Sequence, residues 1–233
     1  MAKARDFFGP YRLTRLIRLG SKCQIWEAIK ESDRTRYALK VLRDEFAGDK
    51  AEMAGLKTEF DVAQQIKGSP RIINIHEYVA DGRSVYLVLE LFSELNMKQA
   101  LRHGPDSLAY MLNKIIEQSA EGLYHMHSKG WLHCDVKPDN FLVSPEGVVK
   151  LIDFQISQKK KTGLSKLFGS KVIQGTRSYM APEQIRGKNM DERTDVYSYG
   201  CVLFEAATGK PPFTGETPDD LLNKHLSAPI PTP

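Results

Sequence analysis

The chain has 233 residues, 41% of them hydrophobic and 27% charged, with a net charge of +4. This is ordinary globular material, long enough for one large domain or two small lobes, and neither disorder nor a nucleic-acid partner is implied. The three cysteines, Cys23, Cys134 and Cys201, lack metal-ligand spacing and fit reduced thiols; no apolar run reaches the ~18 to 20 residues of a membrane span and no signal-peptide core is present, so the expected location is cytoplasmic.

Tyr11 to Leu19, Cys23 to Lys30 and Thr35 to Leu42 are rich in β-favouring or alternating apolar residues. Gly20-Ser21-Lys22 and Glu31-Ser32-Asp33 separate them, which predicts three consecutive antiparallel strands. Met53, Leu56, Phe60, Ala63 and Ile66 recur at helical spacing from Lys50 to Lys67, and Gly68-Ser69-Pro70 ends that helix. Two further strands, Ile72 to Val79 and Val85 to Leu91, flank an Asp81-Gly82 turn, for a total of five strands and one helix.

The pattern then becomes helical. Leu108, Met111, Leu112, Ile115, Ser119, Leu123 and Met126 keep one helical face through to His127. His125 and His127 read as surface or packing residues and His133 as a buried structural one. Short apolar runs at Phe141 to Val143 and Val148 to Ile152 predict a hairpin. A segment of ~30 residues from Asp153 to Glu183 is longer than an ordinary connection. Its lysines, Lys159, Lys160, Lys161, Lys166 and Lys171, belong to a solvated loop or a dock for acidic partners, and Thr162, Ser165 and Ser170 are exposed hydroxyls open to phosphorylation. A helix from Asp195 to about Thr208 is broken by Gly209-Lys210-Pro211-Pro212-Phe213, and Pro218 to Leu226 forms one more.

The stretch WLHCDVKPDNFLVSPEGVVKLIDFQ, Trp131 to Gln155, carries the chemistry. His133-Cys134-Asp135 is followed by Lys137, Asn140 and, after the hairpin, Asp153-Phe154. This order resembles the catalytic loop and metal-binding segment of the serine/threonine protein kinase family. Gly175-Thr176-Arg177-Ser178-Tyr179-Met180-Ala181-Pro182-Glu183 resembles the same family's G-T-x-x-Y-x-A-P-E anchor, and Tyr37-Ala38-Leu39-Lys40 its V-A-I-K strand. The resemblance runs from Tyr11 to Leu226.

It implies an α+β, bilobal kinase-like fold. Residues 1–92 would form a small lobe and hinge, with a five-stranded antiparallel sheet and one helix, and residues 93–233 a larger, mainly helical lobe without the family's last helices. It implies ATP and Mg²⁺ as cofactors, with Mn²⁺ as an alternative, and a protein Ser/Thr hydroxyl as acceptor. Asp135 would accept the hydroxyl's hydrogen bond and Lys137 would stabilise the transferred phosphate. Asn140 and Asp153 are oxygen donors suited to Mg²⁺. Lys40, held by Glu59, would meet the ATP phosphates under a loop that retains only Gly20 of the usual glycines, where Arg18 and Lys22 add charge. Ile25, Ala38 and Leu142 would sandwich adenine behind Leu89, and Glu90 and Leu91, with Phe92, would form the hinge. Thr176 would bridge Asp135 and Lys137, and Asp195 would brace the catalytic-loop backbone.

The departures from the family are specific. Cys134 replaces an arginine that grips a phosphorylated activation loop, so obligatory loop phosphorylation is not expected. Gln155 replaces a glycine and should restrict the turn after Asp153-Phe154. Glu183 lacks the family's arginine partner, and the face left by the missing helices calls for a protein partner or a second copy of the chain. A phosphoryl-transfer enzyme is the leading reading; the alternative is a pseudokinase, an ATP-binding regulatory module.

Overall fold

The computed structural model describes residues 7–81, 84–102, 109–160 and 174–233. Gly82, Leu108, Lys161, Thr162, Ser165, Lys166, Ser170 and Lys171 lie outside them. The chain divides into two compact units, one of residues 1–67 and 73–93, the other of residues 68–72 and 94–233.

The first unit is an antiparallel sheet with one long helix. Its strands are β1 (Phe7–Phe8), β2 (Tyr11–Leu19), β3 (Cys23–Lys30), β4 (Arg36–Leu42), β5 (Ile75–Asp81) and β6 (Ser84–Glu90), in the order β1-β2-β3-β4-β6-β5. Among the described residues the sheet thus has six strands, one more than expected. The extra strand is two residues long, too short for alternation to reveal, and forms because the Gly9-Pro10 turn folds it onto Tyr11 and Arg12, with the Phe8 ring 5.5 Å from that of Tyr86. Pairing of Ile25 with Lys40 and of Ala38 with Leu89 sets these four residues on one face of the sheet. The other face carries Tyr11, Ala28, Leu39, Val41, Tyr86 and Val88, a buried cluster continued by Trp26 and Tyr37.

Helix α1 (Lys50–Ile66) starts where the Asp49 side chain accepts from the backbone N–H groups of Ala51 and Glu52, at 2.8 and 3.2 Å. It buries Leu56, Glu59, Val62, Ala63 and Ile66, the stripe that a 3.6-residue period requires. Glu59 is the one carboxylate in that stripe, and it meets Lys40 from β4.

The second unit is mainly helical: α2 (Met97–Arg102), α3 (Leu112–Ser128), α4 (Pro182–Ile185), α5 (Glu192–Thr208) and α6 (Pro218–Ser227). Two small antiparallel ladders lie among them, β7 (Trp131–Leu132) with β10 (Gln158–Lys159), and β8 (Phe141–Val143) with β9 (Val149–Leu151). Residues 68–72 belong here because Leu151 donates its N–H to the Arg71 carbonyl at 2.7 Å and the Arg71 guanidinium reaches Glu121 on α3, also at 2.7 Å. No helix among the described residues is long and apolar enough to cross a membrane.

Helix α5 begins three residues earlier than the sequence suggested, at Glu192, because Asp191 supplies the N-cap and accepts from the Arg193 N–H at 3.0 Å. Helix α6 is fixed to it through His225, whose Nδ1 lies 2.9 Å from the Tyr197 hydroxyl and whose ring centroid is 4.9 Å from that of Phe213. Burial holds the His225 pKa below its ordinary 6.5, against a smaller opposing pull from the Ser178 backbone. The folded ring therefore binds its proton less tightly than the unfolded one. Its stabilising contribution is whole above pH ~6.5 and is lost as pH falls toward the lowered folded value. Denaturant unfolding between pH 7 and pH 5 should show a steeper loss of stability in the native chain than in His225→Gln; parallel slopes would refute this assignment.

Candidate active site

The loop after β7 is held by a carboxylate from another element. Asp195, fully buried on α5, accepts the backbone N–H of His133 at 2.8 Å and of Cys134 at 2.9 Å, and its Oδ2 is 2.8 Å from His127 Nε2. Because a carboxylate only accepts here, His127 carries its proton on Nε2. The reading of His127 as a surface or packing residue is corrected: α3 ends beside the loop, and the ring completes the carboxylate's shell. Cys134 sits at φ +66°. A non-glycine residue there costs on the order of 1 kcal/mol or more and persists only where its surroundings fix it. Two partners do so, Asp195 on its N–H and the Gln184 amide on its carbonyl at 2.9 Å. Burial and the nearby Asp195 carboxylate push the Cys134 thiol well above the usual range, so the side chain is a neutral filler.

That backbone delivers Asp135. Its Oδ1 accepts from the Thr176 N–H and hydroxyl, both at 2.8 Å, and its Oδ2 from Lys137 Nζ at 2.5 Å. Lys137 also donates to Thr176 Oγ1 at 2.9 Å, closing a three-residue ring of hydrogen bonds. Asn140 donates through Nδ2 to the Asp135 carbonyl at 2.9 Å, with the Oδ2 contact at the 3.5 Å limit. An ionised carboxylate has about four lone-pair sites. The three short bonds leave accepting capacity on Oδ2.

The hairpin of β8 and β9 pairs Phe141 with Leu151, and Ile152 N–H donates to the Asn140 carbonyl at 3.0 Å, which brings Asp153 beside Asn140. Asp153 is a second non-glycine residue in the left-handed region, at φ +70°. Phe154 is fully buried, its ring 5.8 Å from that of His133. The His133 ring is itself buried, with Nε2 3.1 Å from the Ile152 carbonyl and Nδ1 accepting from the Asp135 N–H at 3.3 Å. Its role is structural. Gln155 follows in a turn, half-buried.

In the first unit Lys40 Nζ meets Glu59 Oε2 at 2.7 Å, with the two side chains 12% and 2% exposed. Glu52, near the start of that helix, is paired with Lys22 instead, and Asp61 with Lys57. Lys22, expected to add charge at the β2–β3 turn, thus has a carboxylate partner there. The turn itself is short, closed by the Gly20 N–H on the Cys23 carbonyl at 2.8 Å, and the Arg43 guanidinium caps the Ser21 carbonyl at 3.1 Å. Ile25, Ala38 and Leu89 share the Lys40 face. The Glu90 N–H is committed to the Asn74 carbonyl at 2.9 Å, and Leu91 and Phe92 follow half-buried. Leu142 lies in the second unit, on β8.

Glu183, expected to lack a partner, accepts the Thr194 hydroxyl at 2.6 Å. Two further clusters escaped the sequence reading. Gln184, besides holding Cys134, accepts the Ala181 N–H at 3.0 Å. Glu205 takes the Tyr179 hydroxyl at 2.5 Å and an ion pair from Lys98. One signal could have found the second of them: Thr194, Asp195, Ser198 and Glu205 are polar residues at the core-facing spacing of α5, and all four are buried. Of the cationic loop, Lys160 is engaged with Glu192.

Removing the Asp195 carboxylate orphans two backbone donors and one imidazole donor in a dry site. Asp195→Ala should therefore cost about 3–5 kcal/mol of unfolding free energy. Denaturant titration checks this, and an unchanged midpoint would show that the brace is dispensable.

Comparison with known proteins agrees with this geometry. Residues 11–230 match the family model of the protein kinase domain. The chain is 36% identical over 229 residues to serine/threonine-protein kinase PknA of Mycobacterium tuberculosis, covering 96% of this chain and 52% of that protein. It is 32% identical over 219 residues to a probable serine/threonine-protein kinase of Clostridium acetobutylicum, covering 93% of this chain and 32% of that one. It is 31% identical over 233 residues to serine/threonine-protein kinase PknH of Mycobacterium bovis, covering 100% and 38%. The chain spans about half the length, or less, of these relatives. With the loop, the hairpin and the Lys40–Glu59 pair assembled as described, the chain belongs to the protein kinase domain family.

Proposed function

We propose that this chain transfers the γ-phosphoryl group of ATP to a serine or threonine hydroxyl of a protein. The observation that carries the reading is the ring of Asp135, Lys137 and Thr176, which fixes a carboxylate while leaving it able to accept one more hydrogen bond. In the proposed step the acceptor oxygen bonds to the γ-phosphorus, the bond from that phosphorus to the β–γ bridging oxygen breaks, and the hydroxyl proton passes to Asp135. ADP is the leaving group. Lys137, adjacent to the carboxylate, neutralises charge on the transferred phosphoryl oxygens. Lys40, held extended by Glu59, takes the ATP phosphates, and the apolar Ile25, Ala38 and Leu89 on its face, with the Glu90-Leu91 hinge, meet the adenine.

The donors fit a magnesium ion. Asn140 spends its amide nitrogen on the Asp135 carbonyl, which leaves its carbonyl oxygen to serve as a hard ligand, and Asp153 adds a carboxylate. Two protein ligands suit an ion that keeps waters and substrate phosphates in its shell. When bound, Mg²⁺ supplies charge neutralisation on the phosphates. Manganese would be held by the same oxygens. The protein substrate and the cytoplasmic setting belong to the same proposal.

A nucleotide-binding module without transfer is the weaker reading. The relatives described above carry kinase names, and the ring of Asp135, Lys137 and Thr176 favours transfer over binding alone.

Labelled γ-phosphate from Mg·ATP should reach a generic protein acceptor, and Asp135→Asn should lower the rate by roughly 10² to 10⁴. Chelation of the metal should abolish it. Undiminished transfer by Asp135→Asn, or an ATP-induced rise in melting temperature with no transfer at all, would overturn the reading.

A further inference from the structure

A groove of about 490 Å³ opens beside Thr176, within the same compact unit as Asp135. That volume is in the range of built binding sites. One wall is the turn that carries Thr176 and Arg177; the other is Gly215, Glu216 and the first turn of α6, ending at Leu221. Both walls are fixed by glycines. A Cβ on Gly215 would lie 2.5 Å from the Leu221 nitrogen, so that loop rests directly on the helix, and Gly175 holds φ +121°, where an added Cβ would press to 3.2 Å from the Cys134 carbonyl oxygen.

Among the described residues, the groove's own charges, Arg177 and Glu216, are not spent on the protein itself. Arg177 is exposed, and its guanidinium makes no hydrogen bond or ion pair among the described residues, whereas Arg12, Arg71 and Arg193 each hold a carboxylate. Glu216, on the facing wall, is exposed and forms no ion pair with Arg177. Asp220, next to the groove, is occupied by the Glu216 N–H at 3.1 Å and by Lys224 at 3.0 Å. A planar guanidinium with free donors is suited to grip a carboxylate with two parallel bonds.

The position of this cation sets what it can read. Thr176 bonds the Asp135 carboxylate, and Arg177 is the next residue, one Cα step of ~3.8 Å away. An extended chain advances ~3.3 to 3.6 Å per residue. A hydroxyl placed at Asp135 therefore brings side chains within about three positions of it to Arg177. We infer that Arg177 determines specificity: the groove holds the polypeptide flanking the acceptor hydroxyl and favours an acidic side chain there. This rests on the proposed transfer to a protein hydroxyl.

The test uses serine peptides carrying Asp or Lys at each of the three positions on either side of the serine. Their binding to the full chain is measured by fluorescence anisotropy, and phosphate transfer to them is measured separately. The native chain should bind its best Asp peptide roughly three- to tenfold more tightly than the Lys counterpart, with a preference that shrinks as salt is raised. Arg177→Glu should invert the ranking, a gain that misfolding does not produce. Equal binding of Asp and Lys peptides, or one ranking shared by both proteins, overturns the inference. Transfer that ignores peptide charge sinks the inference and leaves the transferase reading standing. A binding preference that inverts while no peptide is phosphorylated supports Arg177 as the reader and removes the transferase reading.

Discussion

One buried carboxylate organises the second unit. Asp195 takes two consecutive backbone N–H groups of the His133-Cys134 turn and the His127 ring. Burying an ionised carboxylate is costly unless its lone pairs are filled. Here the donors that fill them belong to the loop that must be held still. The constraint runs in both directions: Cys134 tolerates a left-handed backbone because Asp195 and Gln184 grip it, and that backbone in turn orients Asp135. A loop left to its own preferences would not hold φ +66° at a residue with a Cβ.

The two units solve the interior problem differently. The first is stapled by aromatic and aliphatic contacts, with Tyr11, Leu39, Tyr86 and Val88 on one sheet face, and carries the buried ion pair of Lys40 with Glu59 on the other. In the second, α5 presents polar groups inward, and most of them fasten another short segment: Thr194 the residue Glu183 at the start of α4, Asp195 the loop after β7, Glu205 the Tyr179 hydroxyl. Loops lack the repeating ladders of sheets and helices, so their backbone groups need side-chain partners. A helix that supplies these from its buried face can hold three separate turns with one rigid rod.

The departures from the family pattern fall where this scaffold compensates. A neutral, buried thiol at Cys134 carries no charge for the following segment, yet the turn keeps its geometry through main-chain bonds alone. Glu183 is satisfied by Thr194, within the second unit. In the β2–β3 turn the cation Lys22 is tied down by Glu52, and carbonyl capping by Arg43 shapes the turn.

The sequence by itself determined the strand and helix pattern and named the residues proposed for the chemistry. Alternation fixed β2, β3 and β4, the 3.6-residue period fixed α1 and α3, and the order of Asp135, Lys137, Asn140 and Asp153 pointed to one chemistry, because local periodicity and motif spacing are properties of adjacent residues. The Lys40–Glu59 pair was also legible, since Glu59 falls on the buried stripe of α1. What only the tertiary structure decided are the contacts between distant elements. His127 with Asp195 is 68 residues apart and Tyr179 with Glu205 is 26 apart. Helical period marks which residues face inward, but not which loop a buried polar group meets there. The two-residue strand β1 carries too few residues for any period to register. It exists because a turn brings Phe8 against the aromatic core, a fact of packing rather than of pattern.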